Sequence, residues 1–373
     1  MDTQQEFNLP DFGACFLPRE FANFTGPLGP IEVVDTATRP SSVLAHLIAC
    51  RSVVLIGDYG RADGIYRFCA RNERQLVAKD GPAAEGDRRQ RISRLTAACR
   101  MRLHHLLVPA RGDSLVGLTQ PPDTTGLQQW LGTPTGDSLF LIPVRRLQRI
   151  LTDMRRARDG LAVAGLSSPI TILPHVYVPA DMSVPVMLND FAPLISGKRV
   201  LDMGTGTGVL ALLAAHLGAS EVTATDSNPK AVENARVNAE RLGMSDRVKV
   251  RGPSNLFDAM GAEQFDVIIF NAPWSEGVPK SLYDTAIYDP GHSVLAGFMK
   301  AAPAHLAAGG AILLQYSDVS DGRGGRSLDS LTSILEENGL HMTSTRSVHR
   351  QSRLTGTGET VRFFEIRKLI GER

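Results

Sequence analysis

The run Arg199-Val200-Leu201-Asp202-Met203-Gly204-Thr205-Gly206-Thr207-Gly208 constrains this chain more than any other stretch. Two apolar residues lead into a carboxylate, glycines follow at alternate positions, and an apolar periodic segment continues from Val209 to Leu217. That order predicts a buried strand, a tight turn and a helix start. Gly204, Gly206 and Gly208 let the turn take positive φ and let a ligand lie against bare backbone. Eighteen residues after Gly208, a second strand-like run, Glu221 to Asp226, also ends in a carboxylate. A glycine turn with an acid at the tip of the next strand predicts a nucleoside cradle, backbone on one side and ribose hydroxyls on the other.

Around this run the pattern alternates. Strands are predicted to end near 203, 226, 251, 271 and 316, with helices near 209–217, 229–242, 292–307 and 327–338. Two closing strands are read at 340–348 and 360–367. Such alternation predicts an α/β domain with a parallel sheet and helices on both faces. Its ligands belong beyond the carboxyl ends of the strands, where strand order reverses. A length of 373 residues fits two domains. The loop Ala164–Pro169 marks the expected boundary, giving a separate α+β domain at 1–165 for substrate recognition or an accessory role, and the nucleoside-binding domain at 166–373.

The first half carries weaker signals. Residues 1–30 are rich in Phe, Pro and Gly and read as an arm laid on another part of the chain. Residues 41–50 read as a helix and 52–57 as a buried strand. Gly57-Asp58-Tyr59-Gly60 lacks a third glycine and a clear helix, so a second nucleotide loop is not favoured. Arg88, Arg89, Arg91, Arg94, Arg100 and Arg102 form one basic cluster, and Arg145, Arg146, Arg149, Arg155, Arg156 and Arg158 a second. Phosphate contacts are conceivable, but the net charge is only +1 and no aromatics are interleaved, so solvated helix faces are the favoured reading. In the second cluster Leu147, Ile150, Leu151 and Met154 recur at helical spacing and predict a core-facing stripe.

Four cysteines (Cys15, Cys50, Cys69 and Cys99) without Cys-x-x-Cys spacing are read as reduced core thiols. His104-His105 has no partner at ligand spacing, so no metal is expected. The start lacks a basic segment followed by an apolar one, and no apolar run is long enough to span a bilayer. A cytoplasmic protein without membrane contact is expected.

The strand Phe265–Phe270 runs into Asn271-Ala272-Pro273-Trp274. A polar Asn at the tip of a buried strand, stiffened by Pro273 and followed by an aromatic, is not core packing. The Asn271 oxygen and the Ala272 carbonyl can both accept from one NH₂ group. Trp274 offers a face for a planar group or a cation.

With these residues in view, the chain resembles the class I S-adenosylmethionine-dependent methyltransferases. The resemblance covers about 175–345 and rests on Asp202–Gly208, Asp226-Ser227-Asn228-Pro229, Ser254-Asn255-Leu256-Phe257 and Asn271–Trp274. It is strongest towards the release-factor glutamine N5-methyltransferases and the ribosomal-RNA guanine N2-methyltransferases, whose motif is Asn-Pro-Pro-Tyr or Asn-Pro-Pro-Phe. The resemblance implies a Rossmann-like seven-stranded sheet and S-adenosyl-L-methionine as cofactor. It implies that Asp202, Gly204, Thr205, Gly206 and Gly208 line the methionine and ribose, that Asp226, Ser227 and Asn228 take the ribose side, and that Asn255 stands beside adenine. Val176–Asp181, with Tyr177, is similar to the segment that closes over the cofactor. Asn271 would serve both cofactor and acceptor, with Trp274 and Glu276 completing the catalytic group.

The chain departs from those relatives at Ala272, which restores an N–H, and at Trp274 and Asn255. The following loop carries Glu276, Tyr283, Asp284, Tyr288 and Asp289, acids that suit a cationic or guanidinium acceptor. The substrate-binding set is therefore read as Ala272, Pro273, Trp274, Glu276, Tyr283, Asp284 and Asp289. The expected reaction is methyl transfer to an amide or guanidine nitrogen of a free amino acid or another small metabolite, with a peptide glutamine close behind. Two alternatives stay open: an RNA-base N-methyltransferase, in which the arginines grip phosphates, and a cofactor-binding protein without turnover. Oligomeric state is left open.

Overall fold

A computed structural model of the chain describes residues 5–76, 98, 101–132, 134–178, 182–273, 275, 278–279, 282–317, 328–351 and 358–369. The chain divides into two compact units, Met1–Arg155 and Arg156–Arg373.

The first unit is built on a mixed sheet. Its strands are β1 (Gln5–Leu9), β2 (Gly13–Leu17), β3 (Ile31–Asp35), β4 (Ser52–Asp58), β5 (Leu106–Arg111), β6 (Ser114–Leu115), β7 (Leu118–Thr119) and β8 (Leu139–Pro143). The main order is β1-β2-β8-β5-β4-β3, with β6 on β5 and β7 on β4. Residues 5–25 are no arm. They form the β1–β2 hairpin and the helix Arg19–Thr25, and Leu9, Cys15, Leu17 and Phe21 are buried in the core of this unit. The alternation of inward apolar residues along β2 explains the difference, since only a strand can bury Cys15 and Leu17 on one face.

A helix does follow β4 directly, Tyr59–Arg71. Asp58 caps it, accepting the Arg61 N–H at 2.8 Å, so a carboxylate already occupies the helix start that a phosphate would need. The helix Val144–Asp159 buries Leu147, Ile150, Leu151 and Met154, as its spacing predicts. Of the first arginine cluster, Arg88, Arg89, Arg91, Arg94 and Arg100 lie outside the described residues. His104 and His105 are buried; His105 sits 3.0 Å from the Thr25 carbonyl and 2.9 Å from Ser52 Oγ. Cys15 and Cys69 are core thiols, whereas Cys50 is exposed; Cys99 lies outside the described residues.

The second unit holds a seven-stranded sheet of β9 (Arg199–Met203), β10 (Glu221–Thr225), β11 (Val248–Arg251), β12 (Phe265–Asn271), β13 (Leu306–Ser317), β14 (Leu340–Gln351) and β15 (Gly358–Lys368). The order is β11-β10-β9-β12-β13-β15-β14. The first five strands in that order are parallel, and β15 runs antiparallel to both β13 and β14. Helices Val209–His216, Pro229–Arg241, Ser293–His305 and Leu328–Glu337 connect them. One core layer contains Val200, Ile269, Leu313 and helix residues 209–215, and the other contains Leu201, Ile268, Phe298 and Leu314. Alternate strand residues thus feed opposite layers, the signature of a sheet covered on both faces. This is the predicted Rossmann-like α/β sheet. From β9 the chain moves outward to β11 and then crosses to β12 on the other side, so strand order reverses between β9 and β12. Among the described residues no helix is long and apolar enough to cross a membrane.

Candidate active site

The crevice beyond β9 and β12 gathers most of the predicted residues. Gly204, Gly206 and Gly208 adopt φ of 68°, 55° and 84°, conformations that L side chains rarely take. At Gly208 space is also short, because a Cβ there would lie 3.1 Å from Ala235 Cα. The turn is tied to its neighbour by the Thr205 N–H donating to the Thr225 carbonyl at 2.9 Å.

Asp202 is completely buried. Its Oδ2 accepts from Thr205 Oγ1 at 2.7 Å and from the Ala211 N–H at 3.0 Å, which locks the turn to the next helix. Its Oδ1 is buried with no hydrogen-bond partner. Burial pushes the carboxyl up to about 7, against the two hydrogen bonds that favour the charged form. An isolated acceptor oxygen beneath a glycine turn calls for a donor from a ligand.

Asp226, at the tip of β10, is half-buried and shares its oxygens. Oδ2 accepts the Gly206 N–H at 2.9 Å and Oδ1 the Asn228 N–H at 2.8 Å. Each carboxylate oxygen has a second lone pair, so ribose hydroxyls can still be received. Burial raises its pKa, while the backbone N–H groups of Asn228 and Gly206 oppose the rise. Ser227 is exposed beside it. Asn228 caps the helix Pro229–Arg241 through its Oδ1 and donates from Nδ2 to the His175 carbonyl at 3.0 Å. Asn255 is exposed after β11, one residue beyond Ser254, whose N–H donates to the Asp226 carbonyl at 2.9 Å.

The strap before Val176 was not fully legible in the sequence. Its backbone is held by side chains of the helix Pro229–Arg241. Asn238 Oδ1 accepts the Thr171 N–H, and Asn234 Oδ1 accepts the Leu173 N–H at 2.9 Å. Two buried asparagines one helical turn apart on a helix otherwise facing a core were the available signal. Tyr177 lies half-buried near the turn, its carbonyl 3.7 Å from where a Gly206 Cβ would be. Pro179, Ala180 and Asp181 lie outside the described residues.

Asn271 ends β12, and its Oδ1 is buried without a partner. Ala272 is buried and Pro273 half-buried next to it. Trp274 and Glu276, expected in the catalytic group, lie outside the described residues. The loop beyond them returns on itself, with the Ser275 N–H donating to the Ile287 carbonyl and the Asp289 N–H to the Ser275 carbonyl. Tyr283 sits half-buried on this loop, its ring centroid 5.9 Å from that of Tyr177.

Asp289 corrects the sequence reading. It is fully buried, and its carboxylate accepts the N–H groups of Val294 at 2.8 Å and Leu295 at 3.1 Å. It therefore caps the helix Ser293–His305 instead of facing an acceptor; free N–H groups at a helix start attract a nearby carboxylate. Asp284 is buried too, its carbonyl accepting from Ile287 and Tyr288. Among the described residues no group of three or more His, Cys, Asp or Glu could hold a metal ion.

Parallel strands in this order, a glycine turn at the reversal, an acid on the next strand and a polar tip on β12 define a class I S-adenosylmethionine-dependent methyltransferase. Comparison with known proteins agrees. The family described as ribosomal protein L11 methyltransferase (PrmA) matches residues 187–273. The ribosomal protein uL3 glutamine methyltransferase of Bordetella pertussis is 30% identical over 259 residues, which is 62% of this chain and 84% of that protein. The ribosomal protein L11 methyltransferase of Salmonella arizonae is 40% identical over 85 residues, and the chain spans only 29% of it. A solved methyltransferase from Pyrococcus furiosus is 25% identical with a TM-score of 0.41, covering 59% of this chain and 98% of its own. The chain belongs to the class I methyltransferases of the ribosomal protein methyltransferase type, and its cofactor is S-adenosyl-L-methionine.

Proposed function

We propose that the protein methylates the side-chain carboxamide nitrogen of a glutamine in a ribosomal protein. One observation carries the reading: the buried, partnerless Oδ1 of Asn271 at the end of β12, next to the strand that bears the glycine turn. A carboxamide oxygen in that position receives an N–H of the acceptor and orients its nitrogen. The similarity to the uL3 glutamine methyltransferase supports a peptide acceptor over the free amino acid favoured by sequence alone. So does the capping role of Asp289, which removes one of the acids that had pointed towards a guanidinium.

In this reading Asp202, Gly204, Thr205, Gly206, Gly208 and Tyr177 enclose the methionine end of the cofactor, Asp226, Ser227 and Asn228 its ribose, and Asn255 its adenine. The cofactor supplies a methyl group on a sulfonium, a leaving group that is already cationic. Asn271 holds the amide so that its nitrogen lone pair points across the β9–β12 crevice, and the gain in rate comes from that positioning. Trp274 and Glu276, which follow in sequence, are the candidates to cover the acceptor and to offset charge as the nitrogen gives up its proton. Pro273, Tyr283 and Asp284 belong to the acceptor side. The first unit serves recognition of the macromolecular substrate.

The test is transfer of labelled methyl to three acceptors: unmethylated ribosomal subunits, glutamine peptides and naked RNA. Methylglutamine in digested ribosomal protein is the expected product. Label recovered only in RNA would mean an RNA-base enzyme, and cofactor binding by calorimetry with no labelled acceptor would mean a binding protein.

A further inference from the structure

Gln315 stands beside Asn271 and has no role so far. The two are ladder partners across β12 and β13, so their side chains project from the same face of the sheet. The row beneath them is apolar, Ile269 next to Leu313, and the next strand places Phe363 opposite Gln315. Gln315 is only 3% exposed, and its Oε1 has no hydrogen-bond partner, as is true of Asn271 Oδ1. Core positions with two adjacent donorless carboxamide oxygens are unfavourable for the fold alone, because each has given up water and gained nothing. Retaining both makes sense where a ligand brings the donors.

Sheet order says which ligand. β9 carries the cofactor turn, β12 lies next to it, and β13 lies beyond β12. Gln315 therefore flanks Asn271 on the side away from the glycine turn, the side that the reading above leaves to the acceptor. The pair is uncharged and accepts at two points. A primary carboxamide offers two in-plane N–H groups and no charge. These two oxygens carry no charge to pair with a guanidinium, whereas they match the two N–H groups of a carboxamide.

We propose that Gln315 is a substrate-binding and specificity-determining residue: its Oε1 and Asn271 Oδ1 each accept one N–H of the substrate carboxamide. With both in-plane N–H groups held, the lone pair perpendicular to the amide plane is the direction left for methyl transfer. The inference rests on the carboxamide reading above and extends it to a residue on a different strand.

Gln315→Met keeps the volume and removes the oxygen. The expected results are an unchanged or higher Tm, unchanged cofactor Kd by calorimetry, and a fall in kcat/KM for a glutamine acceptor of roughly tenfold or more, since a site built to bind N–H groups depends on them. Gln315→Glu restores acceptor oxygens; part of the activity returns, with a pH dependence of kcat/KM that the parent lacks. Full activity in Gln315→Met, or a loss that merely follows a loss of Tm or of cofactor binding, overturns the proposal. If Asn271→Ala is inactive while Gln315→Met is fully active, the carboxamide reading stands and this inference falls. If the parent binds cofactor and methylates no carboxamide acceptor, both fall together.

Discussion

Asn238 holds Thr171 by both of its backbone polar groups. Its Oδ1 accepts the Thr171 N–H at 2.7 Å, and its Nδ2 donates to the Thr171 carbonyl at 2.8 Å. The same Nδ2 donates to the Thr207 carbonyl of the glycine turn, also at 2.8 Å. A helix side chain here does the work of a neighbouring strand, tying strap and turn together. Asn238→Ala takes this partner from the Thr171 N–H and the Thr207 carbonyl, at roughly 1–3 kcal/mol for each one left unsatisfied, while the Thr171 carbonyl keeps a bond from Asn234 Nδ2 at 2.9 Å. The expected outcome is a lower unfolding midpoint and faster amide exchange at Thr171 and Leu173. Unchanged exchange there would mean that the strap is held by something else.

Gly208 and Gly243 separate two penalties. Both have positive φ, 84° and 65°, but a Cβ at Gly208 meets Ala235, whereas one at Gly243 meets nothing within 4 Å. Gly243→Ala should therefore cost only the left-handed conformation, about 1 kcal/mol. Gly208→Ala adds an overlap with backbone, so a total of roughly 2–4 kcal/mol is expected. Denaturant midpoints of the two variants read the difference directly, and equal values would contradict the close packing at Gly208.

Asp202 links stability to pH. Its pKa is raised in the fold to about 7 from an ordinary value of 3.8. The folded state therefore binds a proton that the unfolded chain has released, and the stability due to this group is full below the ordinary value and lost as pH rises through about 7. Asp202→Asn removes that slope. The variant should be more stable than the parent at pH 8 and should bind cofactor less tightly, having lost the free carboxylate oxygen. Thermal unfolding of both proteins from pH 5 to 8 tests this; parallel curves would sink it.

Asp289→Ala distinguishes a cap from a substrate contact. Loss of the bonds to Val294 and Leu295 should destabilise the protein by about 1–2 kcal/mol, the usual worth of a helix cap. KM for the acceptor should move little at temperatures where the variant stays folded. A large rise in KM with no change in unfolding would restore the substrate role.

Much of the second unit was legible because its local signals agree. Val200 to Leu217 reads as strand, turn and helix from the order of its residues alone, and the strand ends at Asp226 and Asn271 fall within one residue of β10 and β12. What escaped depends on contacts between distant residues. Nothing local marks Asn238 as the partner of Thr171, or Gln315 as the neighbour of Asn271, since strand order is needed to bring them together. Asp289 misled for a different reason. An acid between Tyr288 and Pro290 resembles a binding loop, although the helix that starts at Ser293 offered the competing explanation. Residues 5–25 misled because Phe, Pro and Gly mask the alternation of β2.

The rings of Tyr177 and Tyr283, tilted at 51° to one another with centroids 5.9 Å apart, join the segment over the glycine turn to the loop that follows Asn271. A contact shared by two binding surfaces has a thermodynamic corollary. Whatever orders the pair from one side spares the other side that ordering, and by linkage the benefit is reciprocal. With cofactor and acceptor in the sites proposed above, each is expected to tighten the grip on the other across this aromatic contact, so that the Kd of one falls when the other is present.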